Sequence, residues 1–111
     1  MFSMAASLQK NGYRTAVLSN TEVPAMEFFQ RQQYNMFDVP VFSCAEGVKK
    51  PDGKIYELTL KKLGSGPDQS VFIDDKAEYI NGAKDVGINT VLFQNIDQVK
   101  DELNQLGVKI A

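Results

Sequence analysis

The chain has 111 residues, 43% of them hydrophobic, with 12 basic and 14 acidic side chains, which describes one ordinary globular domain with room for a single core. Its lysines are scattered and no basic run carries interleaved aromatics, so no nucleic-acid partner is expected. With no histidine and a lone cysteine, Cys44, the usual zinc sites and an intramolecular disulfide are excluded, and a reducing cytoplasm fits.

The opening MFSMAASLQKNGYR has neither the charged start nor the long apolar core of a signal peptide, and no window approaches the ~20 apolar residues of a membrane span. A cytoplasmic protein with no membrane partner is the expectation. Met1, Met4, Ala5 and Leu8 recur at helical spacing and Gly12 stands where that helix would stop. Thr15 to Ser19 is a compact apolar run ending in the polar SNT, the pattern of a buried strand. Thr21 is placed to cap the next helix, through EVPAMEFFQRQQ, whose first turn holds Pro24. Val39 to Ser43 reads as a second strand, which Pro40 demotes towards a sheet edge.

In KKPDGKIYELTLKKLG, Pro51 is expected to start a helix carrying Tyr56, Leu60 and Leu63 on one face, with Gly64 as its stop. Ser70 to Asp75 forms the third strand, followed by a helix with Ala77, Ile80 and Ala83 on a small-residue face. Asn89 to Phe93 is the fourth strand, and Ile96, Val99, Leu103 and Leu106 mark a closing amphipathic helix. Strands thus alternate with helices, and each crossover is long enough to return parallel to the strand before it. The expected fold is α/β: a Rossmann-like three-layer sandwich with a parallel sheet of about four strands, and residues 1–111 form one domain without repeat or linker.

In open parallel sheets, sites form beyond the carboxyl ends of the strands. Ser19 and Asn20 fall there after the first strand, Lys50 before the third helix, and Asp74 with Asp75 after the third strand. Two adjacent carboxylates repel and require a cation, a proton or open water. A hydroxyl, an ammonium and two carboxylates around one crevice suit a phosphate together with Mg²⁺. Each feature taken alone also has a structural reading: Ser-Asn-Thr as a turn and cap, Lys-Lys-Pro-Asp as a solvated helix start, Asp-Asp as a cap that complements a helix dipole. Their order and spacing together favour the site.

VLSNT, GVKKPDGKIYE and VFIDDKAEYINGAKDVGINTVLF resemble the second, third and fourth signature motifs of the haloacid dehalogenase-like (HAD) hydrolases, and the resemblance covers nearly the whole chain. It implies that Ser19 hydrogen-bonds a transferring phosphoryl group with Asn20 beside it, that Lys50 offsets charge on the nucleophile and phosphoryl oxygens, and that Asp75, supported by Asp74, binds Mg²⁺. The implied activity is a phosphatase acting on a small phosphorylated metabolite, since the Asp-Asp pair favours phosphate chemistry over metal-free halide displacement. Tyr79 stands where the family pattern has asparagine, a departure that concerns packing around the pair rather than metal binding. A response-regulator receiver is rejected, because its acidic pair follows the first strand.

The family's first motif, an Asp-x-Asp whose first aspartate attacks phosphorus, occurs nowhere in this sequence, and the substrate-selecting helical cap is absent too. The resemblance therefore implies an incomplete HAD core that is inactive alone, arising either as a truncated product or as a natural minimal protein. The alternative function is a non-catalytic binding module that retains a weak Mg²⁺ or phosphate site. In the family the nucleophile strand lies between the strands corresponding to Thr15–Ser19 and Ser70–Asp75. Without it, either those two strands pair directly or a strand comes from elsewhere, through self-association or a second polypeptide.

Overall fold

A computed structural model of the chain describes residues 2–109, so the expectation for Met1 lies outside the described residues. The first helix, α1 (Phe2–Lys10), buries Met4 and Ala5 and gives way to Gly12 at φ +92°. Strand β1 (Ala16–Ser19) leads into α2 (Val23–Gln32), which carries its proline in the first turn. Thr21 does not cap α2: the N-cap residue is Glu22, without a side-chain bond, and the Thr21 amide donates instead to Ser43 Oγ at 2.9 Å. Strand β2 (Val39–Phe42) runs straight into a single helical turn, α3 (Ser43–Glu46).

The next helix, α4, spans Gly53–Leu63 and so starts two positions later than Pro51 suggested. Asp52 is its N-cap, its carboxylate accepting from the Lys54 amide at 2.9 Å. A side-chain acceptor satisfies an otherwise orphaned amide, which proline at the first position cannot do. Strand β3 (Val71–Asp74), helix α5 (Ala77–Val86), strand β4 (Asn89–Leu92) and helix α6 (Ile96–Gln105) complete the order. Ile80 and Ala83 of α5 are buried as the pattern predicted, while Ala77 is exposed. Helix α6 opens with a capping box between Asn95 and Gln98, and its Leu106 is exposed beyond the last turn.

All strand pairing is parallel. β1 pairs with β2 in the register Ala16–Val39 to Ser19–Phe42, and β3 pairs with β4 from Val71–Asn89 to Asp74–Leu92. Pro40 therefore sits on an edge strand, where its missing N–H leaves no gap in a ladder. Among the described residues the four strands do not form one continuous sheet: they are two separate two-stranded sheets, and β1 does not pair with β3.

Strand parity sets the layers, since alternate side chains point to opposite faces. On β3, Phe72 packs with Val39, Val41, Ile55, Tyr56, Leu60 and Ala83, the cluster against α4 and α5. Its neighbours Val71 and Ile73 pack with Met4, Val91, Val99 and Leu103, the cluster against α1 and α6. The result is helices on both faces of a parallel strand layer, an incomplete Rossmann-like sandwich. One consequence of the split is an inversion of burial. The edge strand β2 is buried at three of its four positions, whereas β1 and β3, in the middle of the layer, are only half-buried along their whole length.

Candidate functional site

The carboxyl ends of β1 and β3 lie at the same end of the molecule, because Asn20, just past β1, and Asp74, at the end of β3, both reach Lys50. Asn20 grips the Lys50 backbone at two points: its Oδ1 accepts from the Lys50 amide at 2.8 Å, and its Nδ2 donates to the Lys50 carbonyl at 3.0 Å. The same Nδ2 also donates to the Tyr79 hydroxyl at 3.1 Å. A short amide side chain thus does the work of a ladder residue and ties the loop before α4 to the end of β1.

The Lys50 side chain is buried, and its Nζ donates to Asp74 Oδ2 at 2.7 Å. The ammonium also lies 4.7 Å from the centroid of the Tyr79 ring and 5.6 Å from that of Phe72, within cation–π range. The other Asp74 oxygen accepts from the Lys76 amide at 3.1 Å. Burial works against charge on Asp74, but the hydrogen bond and charge of Lys50, with the Lys76 amide, hold its carboxyl below the usual range. Asp75, next to it, is exposed.

Two aromatic and glycine positions support this arrangement. Tyr56 is buried in α4 and donates its hydroxyl to the Tyr79 carbonyl at 2.7 Å, which anchors the first turn of α5. Gly82, in the middle of α5, faces the segment that carries Lys50: a Cβ there would lie 2.7 Å from the Pro51 carbonyl oxygen and 2.9 Å from Tyr56 Cε2. Only a residue without a side chain lets the helix and Pro51 come so close.

Of the five residues singled out in the sequence, Asn20, Lys50 and Asp74 are joined by direct bonds. Ser19 closes β1 opposite Phe42 and makes no hydrogen bond to the Lys50–Asp74 pair, and Asp75 stands beside Asp74 facing solvent. Next to them an open depression of about 460 Å³ is lined by Asn20, Thr21, Glu22, Ser43, Lys49 and Tyr79, among others. No group of three or more Asp, Glu, His or Cys side chains converges among the described residues. Both Asp74 oxygens accept hydrogen bonds, from Lys50 Nζ and the Lys76 amide, and the exposed carboxylate of Asp75 beside them has the oxygen chemistry that a hard cation keeping most of its water takes. Tyr56 was expected only as part of its helix's apolar face, and Gly82 was not singled out in the sequence. The legible signal was Gly82 itself, since a glycine inside a helical pattern costs stability unless close packing requires it.

Residues 3–87 match the family model of the haloacid dehalogenase-like hydrolases. The chain is 32% identical over 117 residues to bifunctional epoxide hydrolase 2 of Sus scrofa, covering 99% of this chain and 21% of that protein. It is 34% identical over 92 residues to sesquiterpene phosphatase astK of Aspergillus oryzae, covering 79% of this chain and 46% of that one. Among solved structures, a HAD family enzyme of Bacteroides thetaiotaomicron, in complex with magnesium and inorganic phosphate, superposes with a TM-score of 0.71 at 22% identity, over 79% of this chain and 49% of that one. The chain thus spans less than half the length of these relatives. With the parallel α/β core and the three motif segments in place, it belongs to the haloacid dehalogenase-like hydrolase family, which includes phosphatases among its relatives.

Proposed function

We propose that this chain provides the phosphate-binding and Mg²⁺-binding part of a cytoplasmic phosphohydrolase acting on a small phosphorylated metabolite. The observation that carries this reading is the Lys50–Asp74 pair, 2.7 Å apart and gripped through the Lys50 backbone by Asn20 at the carboxyl ends of β1 and β3. Ser19 and Asn20 would meet the phosphoryl oxygens, and the Lys50 ammonium would offset their charge in a partly dehydrated setting, where such a charge counts for more than in water. Asp75, with Asp74, would hold Mg²⁺, which when bound neutralises phosphoryl charge. Phosphatase relatives and a Mg²⁺- and phosphate-bound structural neighbour support the same chemistry.

The sequence has no Asp-x-Asp, the nucleophile segment of the family's reaction, so residues 1–111 by themselves are expected to bind without turning over. Calorimetric titration with inorganic phosphate in the presence of Mg²⁺ tests the site. A saturable heat in the wild type, lost in Asp75→Asn and Lys50→Met, is the expected result; an equal heat in these variants, or none in the wild type, overturns the reading. Mg²⁺-dependent hydrolysis of p-nitrophenyl phosphate by the pure chain, abolished by Asp75→Ala, would overturn the expectation of inactivity.

A further inference from the structure

An ammonium carries three hydrogen-bond donors. Among the described residues, Lys50 Nζ meets one oxygen, Asp74 Oδ2 at 2.7 Å. Lys50 is only 7% exposed, so water does little for the remaining donors, and a buried charge with donors to spare is costly. What faces the ammonium besides Asp74 is a pair of aromatic rings, Tyr79 with its centroid at 4.7 Å and Phe72 at 5.6 Å. Their electron-rich faces attract a cation, and more strongly out of water than in it.

The two rings owe their places to different causes. Phe72 packs against the core cluster of α4 and α5 and meets the Tyr56 ring edge-on, with centroids 5.4 Å apart. Tyr79 stands outside both core clusters and is half-buried at the wall of the depression. Polar bonds at both of its ends set its position: its carbonyl accepts from the Tyr56 hydroxyl at 2.7 Å, and its own hydroxyl accepts from Asn20 Nδ2 at 3.1 Å. Lys76 Nζ also lies 5.3 Å from the Tyr79 centroid, but Lys76 is exposed, and a cation–π contact in water is weak.

A ring and an oxygen hold a lysine differently. A side-chain oxygen at position 79 would accept a directed hydrogen bond and occupy a donor, whereas a π face attracts the whole charge and leaves the N–H groups free to turn to an anion. We infer that Tyr79 is a positioning residue for Lys50: its ring holds the ammonium beside Asp74 with donors in reserve for an anion, and its hydroxyl steadies Asn20, which grips the Lys50 backbone. One side chain thus acts on both ends of Lys50. The inference deepens the proposed function and rests on it for the anion that Lys50 receives.

The test varies the ring charge at position 79 in the full chain. Tyr79→Phe removes the hydroxyl, and phenylalanine bearing one, two or three ring fluorines then drains the ring face of negative charge while nearly keeping its shape, so that folding is preserved. Lys50 is followed by amine-specific acylation and mass spectrometry, as its rate relative to the exposed Lys49 of the same molecule. Tyr79→Phe is expected to protect Lys50 as well as the wild type does, while shifting the Asn20 side-chain amide resonance. Along the fluorine series Lys50 acylation is expected to rise stepwise, by about fivefold in all, and phosphate affinity in the presence of Mg²⁺ to fall in the same order by a similar factor. Protection that does not depend on the number of fluorines overturns the inference, as does loss of protection already complete in Tyr79→Phe. Acylation is read without phosphate, so the two readings fail separately. A graded loss of protection in a chain that binds no phosphate removes the proposed function and retains the hold of Tyr79 on Lys50; phosphate binding that stays constant along the series retains the function and overturns the inference.

Discussion

Replacing Gly82 by alanine sets two effects against each other. Alanine is the better helix former by about 1 kcal/mol in an exposed helix interior, so propensity alone predicts a more stable protein. The added methyl, however, would lie 2.7 Å from the Pro51 carbonyl oxygen, 2.8 Å from Pro51 Cβ and 2.9 Å from Tyr56 Cε2. None of these is the far end of a flexible side chain. Pro51 is backbone and ring, and Tyr56 is pinned through its hydroxyl to the Tyr79 carbonyl. Overpacking of a well-filled interior costs roughly 1–3 kcal/mol, and rigid neighbours place this site at the upper end. Subtracting the propensity gain leaves a net loss of about 2 kcal/mol, or roughly 10 °C in Tm for a domain of this size. Because Pro51 must move, Lys50 moves with it, and phosphate binding is expected to weaken as well. Urea and thermal unfolding followed by circular dichroism measure the loss. Asn81→Ala, at the exposed neighbouring position of the same helix, is the control and is expected to be neutral or slightly stabilising. A Gly82→Ala protein as stable as the wild type would refute the packing account.

Asp74→Asn leaves the buried Lys50 ammonium without its carboxylate, and breaking a pair of this kind costs about 3 kcal/mol in urea unfolding. The Asp74 carboxyl is depressed in the fold, so its contribution to stability is complete above the unfolded value of 3.8 and is lost as pH falls through the lower folded value. Acid unfolding profiles of the wild type and Asp74→Asn are expected to converge in that window. Asn20→Ala removes both bonds to the Lys50 backbone and is expected to cost about 2 kcal/mol by the same assay, with phosphate affinity falling alongside. Burial pushes the Tyr56 hydroxyl up to about 12 from 10.0. A raised value means stability that is complete below pH 10.0 and lost as pH climbs through about 12. Ultraviolet titration of the four tyrosines is expected to show a late component that disappears in Tyr56→Phe.

Much of the fold was legible because local signals and tertiary packing agree. Gly12 and Gly64 stop their helices in the left-handed region, at φ +92° and +69°, where glycine carries no Cβ penalty. Pro40 marked an edge strand for a reason that holds in the structure: it has no N–H to give to an outer neighbour. Helix starts were less legible, because capping is a competition. Asp52 caps α4 in place of a start at Pro51, and the Thr21 amide is taken by Ser43, 22 positions away in sequence.

The division of the strands into two sheets had no sequence signal of its own, since AVLS and VFID read as buried strands whether or not they meet. Direct pairing of β1 with β3, one of the two outcomes expected, is not what the structure shows: among the described residues β1 pairs with β2 and β3 with β4. Within the site, Lys50 and Asp74 stood out as charges near strand ends. The way Asn20 holds Lys50 depends on a loop arriving from 30 residues away, which no local pattern encodes. Tyr79 looked like a departure in packing; in the structure its hydroxyl accepts from Asn20 and its ring lies against Lys50.

The most direct test of the site is a nuclear magnetic resonance titration of the chain with inorganic phosphate and Mg²⁺, following backbone amides and the Asn20 side-chain amide. The account predicts saturable shifts concentrated at Ser19, Asn20, Lys50 and Asp75, abolished in Asp75→Asn while the rest of the spectrum stays unchanged. Shifts centred elsewhere in the molecule, or shifts at these residues that survive the substitution, would contradict it.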